Sequence, residues 1–316
     1  MHIQRNLSLA ALLLSAAQLA FAAPQQYDVT PPGGFVNACA TPSGGSVGGW
    51  AGDNFTPGTG NCSTHYFSGA GSASGSASYS GAPITNQSAG TAKMGWVQMS
   101  AENHSLAASS FALGAVNGGY SDTLTVQLAG HAGESANLLI KVQVSASMWA
   151  KGVAGAAGVE VVPYLNKGLI LAIQPGYDDG SSNHLWSTDR QVAAWGVGTD
   201  YFNLNASLNL NEVVTFSVPV VIGQSMELGL YSFALGGQRA SGGYGYPSET
   251  AEGGVSMTSF IAGASLMLGG VVQPAFTVTS GSGLDWSAAA VPEPQSWVLM
   301  GLGLVGLIAA RRRAAI

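Results

Sequence analysis

From Leu138 to Met148 the chain alternates: Leu138, Ile140, Val142, Val144, Ala146 and Met148 are apolar, and Lys141, Gln143, Ser145 and Ser147 lie between them. Only an extended strand puts all six apolar side chains on one face, so this segment reads as a half-buried antiparallel strand. Asp122 to Leu128 repeats the pattern, with Leu124, Val126 and Leu128 alternating with Thr123, Thr125 and Gln127. Further strand candidates are Val159 to Leu165, Leu169 to Gln174, Gln191 to Val197, Tyr201 to Leu210, Val213 to Ile222, Met226 to Leu235, Ser256 to Leu268 and Phe276 to Thr279. Turn clusters separate them, among them Gly130-His131-Ala132-Gly133, Pro175 to Gly180 and Gly236-Gly237. About ten strands with Gly-rich turns and no interior helical period predict an all-β fold, an antiparallel β-sandwich or jelly roll.

The 316 residues include 45 glycines, and only 8% are charged, against roughly 25% in an average soluble domain. Ser, Thr, Asn, Gln and Gly must therefore cover the surface. Such a chain lacks the basic face that a nucleic-acid partner requires. Ser68 to Ala92 is almost wholly Gly, Ser, Ala and Thr, and it fits a flexible linker and a flat strand equally well. Cys39 and Cys62 are the only cysteines. In an oxidising compartment they predict one disulfide that closes a loop of about 22 residues and stabilises by roughly 3 kcal/mol.

Both ends carry targeting signals. Arg5 supplies a positive n-region, Leu7 to Ala17 an apolar h-region, and Ala20-Phe21-Ala22 the small residues before a cleavage point at Ala23. At the other end the 14 residues from Trp297 to Ala310 are uncharged, and Arg311-Arg312-Arg313 comes directly after them. As a helix they span about 21 Å, less than the roughly 30 Å of a bilayer core. The arginines hold that end cytoplasmic and place Val291-Pro292-Glu293-Pro294 just outside the membrane. Prolines there keep the motif extended and open to a protease. Four domains are expected: 1–22 signal peptide, 23–92 Gly/Ser/Ala-rich segment with the Cys39–Cys62 loop, 93–290 sandwich body, and 291–316 tail. Losing Arg5 and the three terminal arginines takes the 10 basic residues to 6 and leaves an acidic body, which favours solubility.

The order Val291-Pro292-Glu293-Pro294, spacer, Gly-rich apolar helix with Gly301, Gly303 and Gly306, then Arg311-Arg312-Arg313 resembles the PEP-CTERM sorting tail. The resemblance implies recognition and cutting by an exosortase, an integral-membrane cysteine protease. It also implies a membrane-tethered intermediate, then release or transfer to the envelope surface. The body more loosely resembles ectodomains carried by such proteins, through Asp122-Thr123-Leu124-Thr125 and the closing segment Phe276 to Trp286. Their activities are mostly unknown, so the resemblance implies a fold and a destination.

Groupings that could carry chemistry are sparse. Gly44-Gly45-Ser46-Val47-Gly48 matches GxSxG without a readable helix behind it. His65, His104, His131 and His184 stand singly, with no zinc spacing. His131 and Glu134 flank a turn. Asp178, Asp179 and Asn183, with Asp189 nearby, form the best oxygen-rich loop for calcium, the one cofactor to consider, although these are also ordinary turn residues. A sugar platform would draw on Trp186, Trp195, Tyr177, Tyr201, Tyr244 and Tyr246, with Asn183, Asp189, Asn203 and Gln238 as polar partners. No catalytic grouping is readable. The expectation is an envelope or extracellular-matrix protein whose partners are signal peptidase, exosortase and exopolysaccharide, with a carbohydrate-binding module as the alternative and a secreted hydrolase behind it.

Overall fold

The computed structural model describes residues 30–41, 61–81, 84–105, 113–152, 155–165, 183–187, 192–199, 204–238 and 251–287. They form fifteen strands: β1 (Gly33–Thr41), β2 (Asn61–Ser68), β3 (Ser72–Gly81), β4 (Ile84–Lys93), β5 (Trp96–Ser105), β6 (Leu113–Gln127), β7 (Ser135–Gly152), β8 (Gly155–Leu165), β9 (Asn183–Ser187), β10 (Val192–Gly198), β11 (Asn205–Val221), β12 (Ser225–Gln238), β13 (Ala251–Leu268), β14 (Val271–Gln273) and β15 (Thr277–Ser280). All pairings are antiparallel. The first sheet runs β2-β1-β6-β12-β8-β10-β9 with β15 also on β6, and the second runs β11-β7-β13-β5-β4-β3 with β14 on β13. The two sheets face each other as a sandwich, as expected. The expected signal helix and C-terminal helix fall outside the described residues.

The alternation at Leu138 to Met148 is the middle of β7, whose even-numbered side chains from Ala136 to Ala150 are buried. Ser68 to Ala92, ambiguous as sequence, is largely strand: β3 and β4 pair with each other, and β4 pairs with β5. The four-residue turn at Gly130 to Gly133 joins β6 to β7, with positive φ at both glycines. Two expectations change. Tyr201 to Leu210 and Val213 to Ile222 are not separate strands, because Asn205 to Val221 runs as β11 in unbroken register with β7. Asn211-Glu212 has no residue that turns the chain. The Asn211 side-chain oxygen instead accepts hydrogen bonds from Gln143 (2.8 Å) and Ser145 (2.7 Å) on β7. Gly236-Gly237 is likewise no turn. It lies inside β12, where the sheets approach too closely for side chains.

The core is tapered. Toward the connections 42–60, 106–112 and 239–250, a Cβ on Gly236 would lie 2.6 Å from the carbonyl oxygens of Ala101 and Gly253 in the facing sheet. Farther along, large buried side chains such as Tyr120, Leu124, Leu138, Phe216 and Trp286 hold the sheets apart. Ser232 and Ser259 share a buried hydrogen bond of 2.7 Å across the gap. Cys39 and Cys62 are register partners on β1 and β2 and form the disulfide. Replacing both by alanine is expected to cost about 3 kcal/mol through the freed loop. A thermal melt of the variant that overlays the parent would contradict that.

Candidate functional site

Two places stand out, one sealed and one open. On β6, residues up to Ser121 pair with β1 and residues from Leu124 pair with β15, so Asp122 faces inward at the gap between them. Its carboxylate is fully buried. Oδ1 accepts from the amides of Thr123 (2.9 Å) and Ser282 (3.0 Å). Oδ2 accepts from the Ser282 hydroxyl and from the indole N–H of Trp286 (3.2 Å). The Gly281 amide donates to the Thr123 carbonyl (2.8 Å), and the Ser280 hydroxyl to the Leu284 carbonyl (2.8 Å).

Trp286 is only 1% exposed and meets Tyr120 edge-on, with ring centroids 6.1 Å apart. Burial, with the Asp122 charge beside it, keeps the Tyr120 hydroxyl protonated far above the ordinary tyrosine range. A buried carboxylate is tolerable only when donors satisfy it, and four do so here. The arrangement is a fastener: it is closed to solvent, and both oxygens of the Asp122 carboxylate are occupied by donors. The two segments that carried the looser resemblance, Asp122 to Thr125 and Phe276 to Trp286, are thus the two halves of one clasp. Nothing in their spacing along the chain joins them; the fold does.

The open place is the outer face of the second sheet. Residue parity sends one set of side chains to the core and the other outward across all six main strands. Cross-strand register aligns the outward set in lateral rows. One row is Ser207, Trp149, Gly254, Glu102, Gln87 and Ser78; the next is Asn209, Ser147, Ser256, Ser100, Ala89 and Ser76; the third is Asn211, Ser145, Thr258, Gln98, Thr91 and Ser74. Several are tied sideways, as in Gln87 to Glu102 (2.8 Å) and Ser74 with Thr91 (2.9 Å). A shallow trough of about 560 Å³ lies over this region, lined by Ser74, Ser76, Thr91, Gln98, Ser100 and Ser256, with Ser63 and His65 of β2 also contributing. Trp149 is not among the aromatics that the sequence nominates. Its signal is its parity, an aromatic in the outward register of β7.

Of the nominated residues, Asp178, Asp179 and Asp189 lie outside the described residues, as do Gly44 to Gly48, Tyr177, Tyr201, Tyr244, Tyr246 and Asn203. So do Ala20, Ala22 and Ala23, and Val291 to Pro294 with Arg311, Arg312 and Arg313. Asn183, His184 and Trp186 lie on β9, opposite Gly196, Trp195 and Ala193 of β10. Trp195 is buried at 3% exposure, so its ring belongs to the core and is withdrawn as a sugar platform. His65 bonds Ser63 (2.7 Å), His131 bonds Glu134 (3.0 Å), and His104 lies 3.6 Å from Glu252. Among the described residues, no three His, Cys, Asp or Glu side chains gather to hold a metal ion.

The described body is thus an all-β sandwich with a disulfide near its N-terminal edge, and Trp286 is the last core residue among the described residues. The segment beyond that residue defines the class more closely, for residues 290–313 match the PEP-CTERM protein-sorting motif. The chain thus carries a PEP-CTERM sorting motif, which implies export through the membrane and processing by exosortase, a membrane protein. No curated protein and no solved structure matches it.

Proposed function

We propose that the mature body is a non-enzymatic protein of the extracellular matrix, held among exopolysaccharide chains after signal peptidase cuts before Ala23 and exosortase removes the tail. The observation that carries the reading is the sorting motif at residues 290–313 behind a disulfide-bonded sandwich. A disulfide suits an oxidising, extracytoplasmic compartment. The broad outer face of hydroxyls and amides suits a hydrated matrix. In this reading Val291 to Pro294 is the recognition element, and Arg311 to Arg313 fix the tail's orientation during processing.

Intact-mass measurement of the protein from its native host tests the processing. The expected product begins at Ala23 and lacks Trp297 to Arg313; a secreted chain that retains them sinks it. Fractionation tests the destination. The body should co-sediment with extracellular matrix and leave it when the polysaccharide is digested, whereas a body found only free in the medium argues against a matrix role.

A further inference from the structure

We propose that the outer face of the second sheet binds an uncharged polysaccharide strand, with Trp149 as the stacking platform and the adjoining rows of hydroxyls and amides as the hydrogen-bonding track. The proposal rests on the matrix reading and gives it a site and a ligand class.

The platform originates in a glycine. Trp149 points outward from β7, and its register partner on β13 is Gly254. A Cβ on Gly254 would fall 2.5 to 2.7 Å from Nε1, Cε2 and Cζ2 of Trp149. The indole therefore lies against the bare backbone of β13, and the side chain is only half-buried. The His104 ring stands 5.7 Å away at a 40° tilt, beside the platform. Lys151 Nζ lies over the Trp149 ring, 5.3 Å from its centroid. Its side chain is exposed and flexible, and a cation–π contact at an exposed site is weak, so it can swing aside for a stacking ligand.

The chemistry of the surroundings selects the ligand. A pyranose offers an apolar C–H face for a flat ring and a belt of hydroxyls that both donate and accept. Ser, Thr, Asn and Gln side chains do both in return, and they fill the rows next to Trp149. Across the three rows the only charged side chain is Glu102, which already accepts from Gln87. A protein partner would call for an apolar patch at the centre of the interface, and nucleic acid for a basic stripe. Around the platform itself Lys151 is offset by Glu102 and Glu252, so an anionic polymer gains no net attraction there. Trp96, on β5 three rows farther along and with Lys93 Nζ over its ring at 5.6 Å, extends the track by about 20 Å, several sugar rings in length.

Affinity electrophoresis of the purified body in native gels that contain hydroxyethylcellulose, galactomannan or alginate tests this. The intact body should be retarded by at least one of the two neutral glycans and not by alginate. Trp149→Ala should weaken that retardation about tenfold, the scale of one lost stacking contact with its buried area. Lys151→Ala should bind at least as well as the parent. Gln98→Arg, a surface change in the track that spares the ring, should also weaken binding, and thermal melts matching the parent establish that each variant is folded. Retardation by alginate alone, or by none of the three, overturns the proposal, while the matrix reading stands or falls separately on fractionation. Retardation by a neutral glycan that Trp149→Ala and Gln98→Arg leave unchanged overturns this site and leaves carbohydrate binding itself intact.

Discussion

Trp286→Ala is expected to cost the body about 3–5 kcal/mol, the range for emptying a fully buried aromatic site. At roughly 2–4 °C per kcal/mol for a domain of this size, the melting temperature should fall by about 10 °C. The loss should fall toward the upper end of that range for a reason visible at Asp122. Removing the indole takes away one donor to a buried carboxylate and the edge-on contact with Tyr120. Strand β15 is only four residues long, and its face alternates between exposed and half-buried. Without the clasp it has little to hold it on β6. Limited proteolysis should therefore cut between Val271 and Ser287 in the variant and spare that stretch in the parent. Asp122→Asn keeps the shape but turns an amide N–H₂ toward existing donors, and it should lose about 3 kcal/mol through charge-assisted bonds that are no longer made. Because the two residues act on one contact, the double variant should lose less than the sum. A Trp286→Ala protein that melts within about 2 °C of the parent, a difference worth no more than about 1 kcal/mol, would show that the clasp is decorative. The clasp also bears on sorting: Trp286, the last core residue among the described residues, precedes residue 290, so removing the matched motif takes away none of the described core.

What could be read from the sequence tracked the strength of the local signal. β7 was legible because its inward positions are large and aliphatic while Lys, Gln and Ser stand between them. β3 was not, because Ser72 to Gly81 alternates serine with alanine, glycine and one tyrosine, and such a pattern carries almost no hydrophobic contrast. Only pairing with β4, which in turn pairs with β5, makes it a strand. The division of β11 was an error of period: Asn211-Glu212 is polar on two successive residues and resembles a turn until the neighbouring Gln143 and Ser145 are seen to use it. The disulfide could be inferred from cysteine count and compartment, and the sorting tail from its order of parts, because neither depends on tertiary structure. The candidate sites fared differently. Aromaticity alone marks Trp195 as a candidate platform, but a tryptophan on a strand is placed by parity and by the opposing sheet, and here both bury it. Trp149 carries the same aromaticity with the opposite parity, and its value rests on Gly254, more than a hundred residues away.

Gly236→Val is expected to be as damaging as any large-to-small change in the core, although it adds atoms. In most sandwiches side chains from both sheets fill a gap of about 10 Å. At this end they cannot, because backbone faces backbone. A Cβ on Gly236 would sit 2.6 Å from two carbonyl oxygens of the second sheet, and one on Gly114 of β6 would sit 2.5 Å from the Gln87 carbonyl and 2.8 Å from that of Glu102. A flexible side chain could yield at such distances; a carbonyl inside a hydrogen-bonded ladder can move only if its strand moves. Either glycine replaced by valine must therefore lift β6 or β12 from β4, β5 and β13, open the buried Ser232–Ser259 bond nearby, and forfeit packing on both sides. Overpacking typically costs about 1–3 kcal/mol and occasionally more, and with two backbone contacts violated at once the loss here should reach about 3 kcal/mol or above. Exposed Gly130, with no atom within 4 Å of its Cβ position, supplies the control. Its positive φ makes alanine mildly unfavourable there, by about 1 kcal/mol, without touching the sheets. Chemical denaturation of Gly236→Val, Gly114→Val and Gly130→Ala should rank them in that way, with both valine variants well below the turn variant. If Gly130→Ala proves the most harmful of the three, the close approach of the sheets is not what these glycines are for.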